Sequence, residues 1–150
     1  MEDARPARPG DLERCATLLD AALGEFGGHR GGAHFGPLDA KALLAAWSAP
    51  GDDRTFLVGT FDGAVVGLAA GFLDRAGGTA LGRIECCYVE PEARAVGVGA
   101  SLTRALLDWF SANGCTEVDA MALPGDRSTK QLLEAAGFKT RLLVLRRSLR

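Results

Sequence analysis

The stretch that decides the fold is Val89-Glu90-Pro91-Glu92-Ala93-Arg94-Ala95-Val96-Gly97-Val98-Gly99-Ala100, between a predicted strand and the strongest predicted helix of the chain. Gly97 and Gly99 remove side chains where the backbone must turn. They leave a row of N–H groups at the positive end of a helix, which favours phosphate by geometry and by dipole. Arg94 adds a charge that can pair with phosphate. We predict a phosphate-binding loop, although two glycines before a helix are also common turn chemistry.

Outward from this loop, the hydrophobic pattern predicts one α/β domain over residues 1–150, with a mixed sheet and the order ααβββαβαβ. Residues 24–36 are rich in glycine and predict a loop. Asp62-Gly63 lies between two apolar runs and predicts a hairpin turn. The predicted helices cover residues 11–23, 37–47, 97–113 and 126–136. The predicted strands cover residues 55–61, 64–73, 83–89, 116–122 and 138–145.

Composition excludes several classes of function. The net charge of −2 gives no general attraction to nucleic acid or to an anionic membrane. No apolar run is long enough to span a bilayer, and residues 1–9 lack the apolar stretch of a signal peptide, so we expect a cytoplasmic protein. The four cysteines show no CxxC spacing and are expected to be free thiols. The two histidines, His29 and His34, do not have the spacing of metal ligands, so we expect no metal.

The pattern Arg94-x-x-Gly97-x-Gly99, preceded by Val89-x-Pro91, resembles the coenzyme A signature of the GNAT N-acetyltransferase superfamily. The order of elements, the chain length and a helix that ends in Gly137-Phe138 are also similar to that family. The resemblance implies a mostly antiparallel central sheet flanked by helices. It also implies an enzyme that moves the acetyl group of acetyl-coenzyme A to an amine, with no metal.

The resemblance implies contacts to the cofactor in three places. Asp126 stands where the family usually has an asparagine, and Leu133 stands where many members carry a tyrosine that protonates the departing thiolate. Leucine cannot donate a proton, so water or another group such as Ser128 would have to supply it. Residues implied to meet the pantetheine arm and thioester are Cys87, Tyr88 and Val89. Residues implied to meet the diphosphate are Arg94, Ala95, Val96, Gly97, Val98, Gly99 and Ala100.

Glu85 is the candidate catalytic base. An alkylammonium has a pKa near about 10.4 and must lose a proton before it attacks a thioester, and a carboxylate can accept that proton. Period-2 alternation predicts Glu85 on the same strand face as Cys87 and Val89. The pattern from Glu85 to Arg94 resembles the form found in polyamine and aminoglycoside acetyltransferases, in which this glutamate lies near the acceptor amine. The alternative is a solvated glutamate, or one paired with Arg83 or Arg146.

The acceptor that this pattern favours is a small primary amine. A protein or peptide amine is the alternative within the enzyme class, and a non-catalytic acyl-coenzyme A sensor is the alternative outside it. The resemblance puts residues 24–36 beside the acceptor site, which makes His29, Arg30 and His34 candidates for substrate contact. A homodimer through the final strands is a further possibility that the sequence leaves open.

Overall fold

The computed structural model describes residues 1–76 and 78–150, without the side chains of His34 and Phe35. The described chain has short 3-10 turns before α1, before α2 and before α3. Its strands and helices are β1 (Glu2–Pro6), α1 (Leu12–Gly28), α2 (Ala40–Ser48), β2 (Arg54–Phe61), β3 (Ala64–Asp74), β4 (Leu81–Val89), α3 (Val98–Ala112), β5 (Glu117–Ala120) and α4 (Arg127–Ala135).

The strands form one sheet in the order β1-β2-β3-β4-β5. Each neighbouring pair is antiparallel except β4 and β5, which are parallel. This confirms the expected α/β fold with a mixed, mostly antiparallel sheet. The predicted hairpin is also present, since Asp62 and Gly63 both have positive φ, 49° and 84°, as a tight two-residue turn requires.

The predicted order of elements is corrected at both ends of the chain. A strand that was not predicted, β1, precedes the first helix; it is short, charged and contains Pro6, so only its backbone pairing with β2 makes it a strand. The predicted strand over residues 138–145 is wrong for the chain as described, where residues 138–150 form no helix or strand. The first helix also continues to Gly28, through glycines that a helix tolerates at a modest cost.

Helices cover both faces of the sheet. Leu102, Leu106 and Phe110 of α3 are fully buried on one face, and Leu18 and Leu19 of α1 are buried on the other with Trp47 of α2. No helix in the described part of the chain is long and apolar enough to cross a membrane. The packing of α3 fixes the position of its first turn, just after β4 ends.

Candidate active site

A cleft opens in the sheet where β4 and β5 separate. Their pairing runs only from Leu81↔Glu117 to Ile84↔Ala120, whereas β4 continues to Val89. The last five residues of β4 therefore have an open edge on the β5 side. The cleft at this edge is lined by Ile84, Glu85, Cys86, Cys87, Ala120, Met121, Thr129, Leu132 and Leu133.

The amides of Cys87 and Val89 face the open edge. The Glu90 N–H donates to the Val66 carbonyl on the β3 side, at 2.9 Å. Successive N–H groups of a strand point to opposite edges, so the Tyr88 amide also faces β3 while its two neighbours face the cleft. Both N–H groups thus point into the space between the strands, where no described strand pairs with them.

Glu85 lies at a β-bulge in β4. The register pairs Ala70 with Cys86 and Gly71 with Ile84, and so leaves Glu85 as the extra residue. Bulges are frequent beside active sites because they redirect a side chain. The residues of β4 that pack on the α3 side are Ile84, Cys87 and Val89, and those that pack on the α1–α2 side are Cys86 and Tyr88.

The bulge interrupts the regular alternation of β4 at Glu85. Strict alternation predicts Glu85 on the face of Cys87 and Val89, but Glu85 is the extra residue between Ile84 and Cys86, where that alternation does not hold. Its side chain is exposed, and it has no ion pair with any described residue. Arg83, one of its possible partners, pairs instead with Asp74 at 3.6 Å.

The predicted phosphate loop turns sharply at Ala95 and Gly97, whose φ values are 69° and 92°. Gly97 precedes the first residue of α3, and no side chain caps this helix N-terminus. The first N–H groups of α3 therefore have no side-chain acceptor. A Cβ on Gly97 would lie 3.2 Å from the exposed, flexible side chain of Glu2, which can move, so the turn needs glycine for its φ rather than for its space. Uncapped N–H groups at a positive helix end are an arrangement that favours anions.

Arg94 is bound to a carboxylate that the sequence did not reveal. Its Nη2 donates to both oxygens of Glu25, at 2.9 and 3.1 Å, and its Nε donates to the Val89 carbonyl at 2.9 Å. The Tyr88 hydroxyl donates to the same carboxylate at 2.5 Å. Burial raises the pKa of Glu25, but these hydrogen bonds outweigh it and hold the pKa below its usual value. No sequence signal identified Glu25, which lies near the end of a helix in a glycine-rich stretch.

Asp126 caps α4. Its carboxylate accepts from the Thr129 backbone N–H at 3.1 Å and from the Thr129 hydroxyl at 2.6 Å. His29 Nε2 lies 3.9 Å from the same carboxylate. Leu133 is buried in the wall of the cleft, where it offers no proton, and Ser128 is exposed outside the cleft lining. Thr129 is the hydroxyl that lines the cleft, a residue that sequence reasoning missed.

The segment after α1, which contains Arg30 and Gly31, packs against the connection between β5 and α4. A Cβ on Gly125 would lie 2.7 Å from the Arg30 backbone nitrogen, and one on Gly31 would lie 3.2 Å from Pro124. His29 and Arg30 thus lie beside α4 and the cleft. The side chain of His34, the third candidate for substrate contact, is outside the described residues.

The thiols beside the cleft are held in their protonated form. Burial raises the pKa of Cys87 to about 11, against a smaller opposing effect of the Thr103 hydroxyl, whose oxygen lies 3.9 Å from the sulfur. Burial also raises the pKa of Cys86. A protonated, buried thiol is a poor nucleophile.

Solved structures with this fold include several acetyltransferases. An aminoglycoside acetyltransferase, AAC(6')-Iy, in complex with a bisubstrate analogue, CoA-S-monomethyl-acetylneamine, has a TM-score of 0.69 and 24% identity over 99% of both chains. Glucosamine-6-phosphate N-acetyltransferase from Arabidopsis thaliana has a TM-score of 0.70 and 15% identity, covering 100% of this chain and 99% of the other. A transcriptional regulator from Bacillus halodurans has a TM-score of 0.73 and 16% identity, covering 99% and 100%.

Comparison with curated protein sequences gives no significant match. The likeness to the solved structures is one of fold, since each is below 25% identity. The family model described as the acetyltransferase (GNAT) family matches residues 17–138, which include the cleft, the loop before α3 and α4. This match spans most of the chain, and the splayed strands and glycine loop agree with it. The chain belongs to the GNAT acetyltransferase family.

Proposed function

We propose that this protein transfers the acetyl group of acetyl-coenzyme A to the amino group of a small molecule, by direct attack of the amine. The observation that carries the proposal is the continuous path along β4. It leads from the uncapped N-terminus of α3, past the open-edge amides of Val89 and Cys87, to the exposed Glu85 carboxylate. One path thus offers a phosphate cradle, hydrogen-bond donors for a thioester and a base for an amine.

Three groups of residues would hold the co-substrate. The amides at the start of α3 would bind the diphosphate, because unsatisfied N–H groups and the helix dipole both favour anions. The open edge of β4 would bind the pantetheine arm by adding its amide groups to the edge. Asp126 lies across the cleft, at the start of α4. Its negative charge would repel phosphate, but the carboxylate is held as a helix cap by the Thr129 N–H. The proposed contact residues are Cys87, Tyr88, Val89, Arg94, Ala95, Val96, Gly97, Val98, Gly99, Ala100 and Asp126.

Two groups of the chain would act on the reacting atoms. Acetyl-coenzyme A supplies the activated acetyl group. Glu85 accepts a proton from the ammonium, directly or through water, so that the nitrogen lone pair can form the new C–N bond. The Val89 N–H, which faces the cleft, stabilises the negative charge that develops on the carbonyl oxygen as the amine nitrogen attacks. The carbonyl re-forms when the C–S bond breaks and the charge passes to the sulfur.

No described side chain in the cleft takes the place of the family's tyrosine as the proton donor to the departing thiolate. Leu133 is apolar, and the Thr129 hydroxyl already donates to Asp126. A thiol has a pKa near about 8.5, so the sulfur can leave as a thiolate and take its proton from water. The raised pKa of Cys87 argues against an acyl-enzyme on that residue, and direct attack needs none.

The favoured acceptor is a small primary amine. Neighbours with this fold include enzymes named for aminoglycosides and for glucosamine-6-phosphate. A protein or peptide amine is the alternative acceptor. Leu133 supports a second candidate function, a non-catalytic acyl-coenzyme A sensor, because it removes the usual proton donor from the site. A cytoplasmic location, where acetyl-coenzyme A is available, belongs to the same proposal.

The first test is a calorimetric titration with acetyl-coenzyme A, followed by a free-thiol assay against aminoglycosides, polyamines, amino sugars and peptides. A ligand that binds the native state raises the melting temperature, so a thermal shift checks the same binding. We expect binding, and thiol release with one class of small amine. Binding without thiol release on any acceptor would favour the sensor, and thiol release only with peptides would favour the alternative acceptor. Absence of binding would overturn the proposal.

A further inference from the structure

The end of α1 contacts both walls of the cleft. On the β4 side, Glu25 accepts a hydrogen bond from the Tyr88 hydroxyl at 2.5 Å. On the α4 side, the chain lies so close to the connection between β5 and α4 that a Cβ on Gly125 would be 2.7 Å from the Arg30 nitrogen. We call residues 25–31 the bridge, because they join the two walls of the cleft.

The two ends of the bridge are held by contacts of different strength. Glu25 also accepts from Arg94 Nη2 at 2.9 and 3.1 Å, and charged hydrogen bonds of this kind are the strong ones in proteins. At the other end, His29 Nε2 lies 3.9 Å from Asp126 Oδ1, which is too long for a hydrogen bond. This second contact is electrostatic, so its strength depends on whether the imidazole carries a positive charge.

Glycine makes the bridge easy to move. Outside the helix itself, no described atom lies within 4 Å of the position that a Cβ would take on Gly27 or Gly28, so close packing does not require glycine there. Glycine weakens a helix because its backbone loses more conformational freedom on folding than that of any other residue. The last turn of α1, which contains both glycines, is therefore the part of this helix that opens at the lowest cost.

Two carboxylates flank His29. Glu25 lies one turn earlier on the same helix, at the i,i+4 spacing that brings side chains together, and Asp126 faces His29 from the start of α4. The C-terminal end of a helix also favours a cation. The cations nearest to these groups are held by Glu25 or exposed, namely Arg94, Arg30 and Arg127. Histidine changes its charge between about pH 5 and 8, so the attraction is present in acid and is lost as the pH rises.

We propose that His29 is a positioning residue for the cleft, which in its protonated form draws the bridge onto Asp126 and holds the two walls together. When the imidazole is neutral, the α4 end of the bridge is released while the Glu25 end stays bound. Asp126 accepts from the hydroxyl of Thr129, which lines the cleft, so a held bridge fixes the start of α4 and slows the departure of coenzyme A. The contact is a property of the chain alone, whereas its effect on coenzyme A rests on the proposed function.

The first experiment tests the contact in the free protein by a double-mutant cycle. Wild type, His29→Gln, Asp126→Asn and the double variant are unfolded in urea at pH 5.5 and at pH 8. At pH 5.5 we expect non-additive effects, with a coupling of up to about fivefold in the unfolding equilibrium, as for other partly exposed ion pairs. At pH 8 the coupling should disappear, because the imidazole is neutral. Additive effects at both pH values, or an equal coupling at both, would overturn the proposal.

The second experiment measures the rate at which coenzyme A dissociates, by stopped-flow displacement. Each rate is compared with that of His29→Gln at the same pH, since this cancels the titration of the coenzyme's own phosphate groups. We expect the wild type to release coenzyme A up to about fivefold more slowly at pH 5.5 and at an equal rate at pH 8. His29→Arg, whose charge persists at both pH values, should be the slower variant at both.

The two experiments distinguish a failure of this inference from a failure of the proposed function. A wild type that releases coenzyme A as fast as His29→Gln at pH 5.5 would overturn the positioning role, even if the cycle detects the contact. A chain that does not bind coenzyme A at all would overturn the proposed function and the effect of His29 on the cofactor, while the cycle in the free protein would still decide whether the contact exists.

Discussion

The Arg94 guanidinium lies 2.9 Å from a Glu25 carboxylate oxygen, so the residue that begins the loop before α3 is bound to α1. The same guanidinium donates to the Val89 carbonyl and lies over the Tyr88 ring, 5.5 Å from its centroid. Tyr88 in turn donates to Glu25. This cluster joins α1 to the open edge of β4 and to the start of the loop. It assigns Arg94 a positioning role, whether or not it also contacts phosphate.

We therefore expect Arg94→Gln and Glu25→Gln to have strongly non-additive effects. Each change breaks the charged hydrogen bonds of one cluster, and each should lower the melting temperature by several degrees and the affinity for acetyl-coenzyme A severalfold. The double variant should be no worse than either single variant, because the interaction is already lost. Calorimetric titration and thermal unfolding of the four proteins measure this cycle.

The same double-mutant cycle distinguishes a positioning role of Arg94 from a direct contact between Arg94 and phosphate. If Arg94 bound phosphate through its own charge, Arg94→Gln would cost affinity even in the Glu25→Gln background. Glu25→Gln alone would then free the guanidinium and raise the affinity. Tyr88→Phe is a useful comparison, since it removes one hydrogen bond to Glu25 and leaves the guanidinium contact in place.

The sequence predicted the central part of the fold because local signals agree there. The Asp62-Gly63 turn, the apolar face of α3 and the cap at Asp126 each follow from one short segment. It failed at β1 and at residues 138–145, where strand formation depends on a neighbouring edge rather than on composition. An edge strand that contains charged residues and proline shows no periodic hydrophobic pattern. An apolar segment shows the composition of a strand even where no neighbouring strand pairs with it.

The site was predicted less completely than the fold, for a related reason. The loop from Arg94 to Ala100 has a local signature, so its turn and helix start were found from the residues. Glu25 contributes through a contact with residues more than sixty positions away, and helical periodicity says nothing about such a partner. The bulge at Glu85 is likewise set by the pairing with β3, and it interrupts the alternation from which the face of the proposed base was predicted.

Glu85→Gln should lower kcat by about 100-fold while the affinity for acetyl-coenzyme A stays the same. The amide keeps the shape of the side chain but cannot accept the ammonium proton, and general base catalysis contributes about 100-fold or more. The defect should shrink as the pH approaches the pKa of the amine, about 10.4, where the acceptor loses its proton unaided. Turnover with the best acceptor is measured from pH 6 to 10.

Glu92→Gln is the matched control for this change. Glu92 is exposed in the turn after β4, outside the cleft lining, so its neutralisation should leave kcat within about twofold. Equal turnover of Glu85→Gln and wild type at pH 7 would show that another group or bulk water is the base. A loss of coenzyme A affinity in Glu85→Gln would show that the variant disturbs β4 itself.

Gly97→Val should weaken the binding of acetyl-coenzyme A at least tenfold. A φ of 92° is strained for a β-branched residue, and the new side chain would meet Glu2. Gly99→Val should act in the same direction, because its Cβ would lie 3.2 Å from Leu132 in the cleft wall. Gly10→Val serves as the control, since nothing lies within 4 Å of its Cβ. Unchanged affinity in a folded Gly97→Val protein would contradict the phosphate loop.

Asp126→Asn should raise the affinity for acetyl-coenzyme A, and Asp126→Ala should lower stability by about 1 kcal/mol. Asparagine can still accept from the Thr129 N–H as a helix cap, but it removes a negative charge from the proposed cofactor side of the cleft. Alanine removes the charge and the cap together. Titration calorimetry and urea unfolding of both variants separate the two effects. A weaker affinity in Asp126→Asn would instead make the carboxylate, with His29 beside it, a functional group of the site.

Asp11→Asn should destabilise the protein at neutral pH by about 1–2 kcal/mol, and the difference should disappear in acid. Hydrogen bonds from Arg5 at 2.7 and 3.1 Å, opposed by burial and reinforced by the Arg8 N–H, lower the pKa of Asp11 from 3.8 to about 2. A carboxyl with a depressed pKa stabilises the folded state above its unfolded value, and this contribution is lost as the pH falls through the folded value. The free energy of unfolding in urea should therefore differ between wild type and variant at pH 7, converge below about pH 4 and coincide only below about pH 2. A difference that stays constant over this range would mean that Asp11 acts through the shape of its capping contacts rather than through its charge.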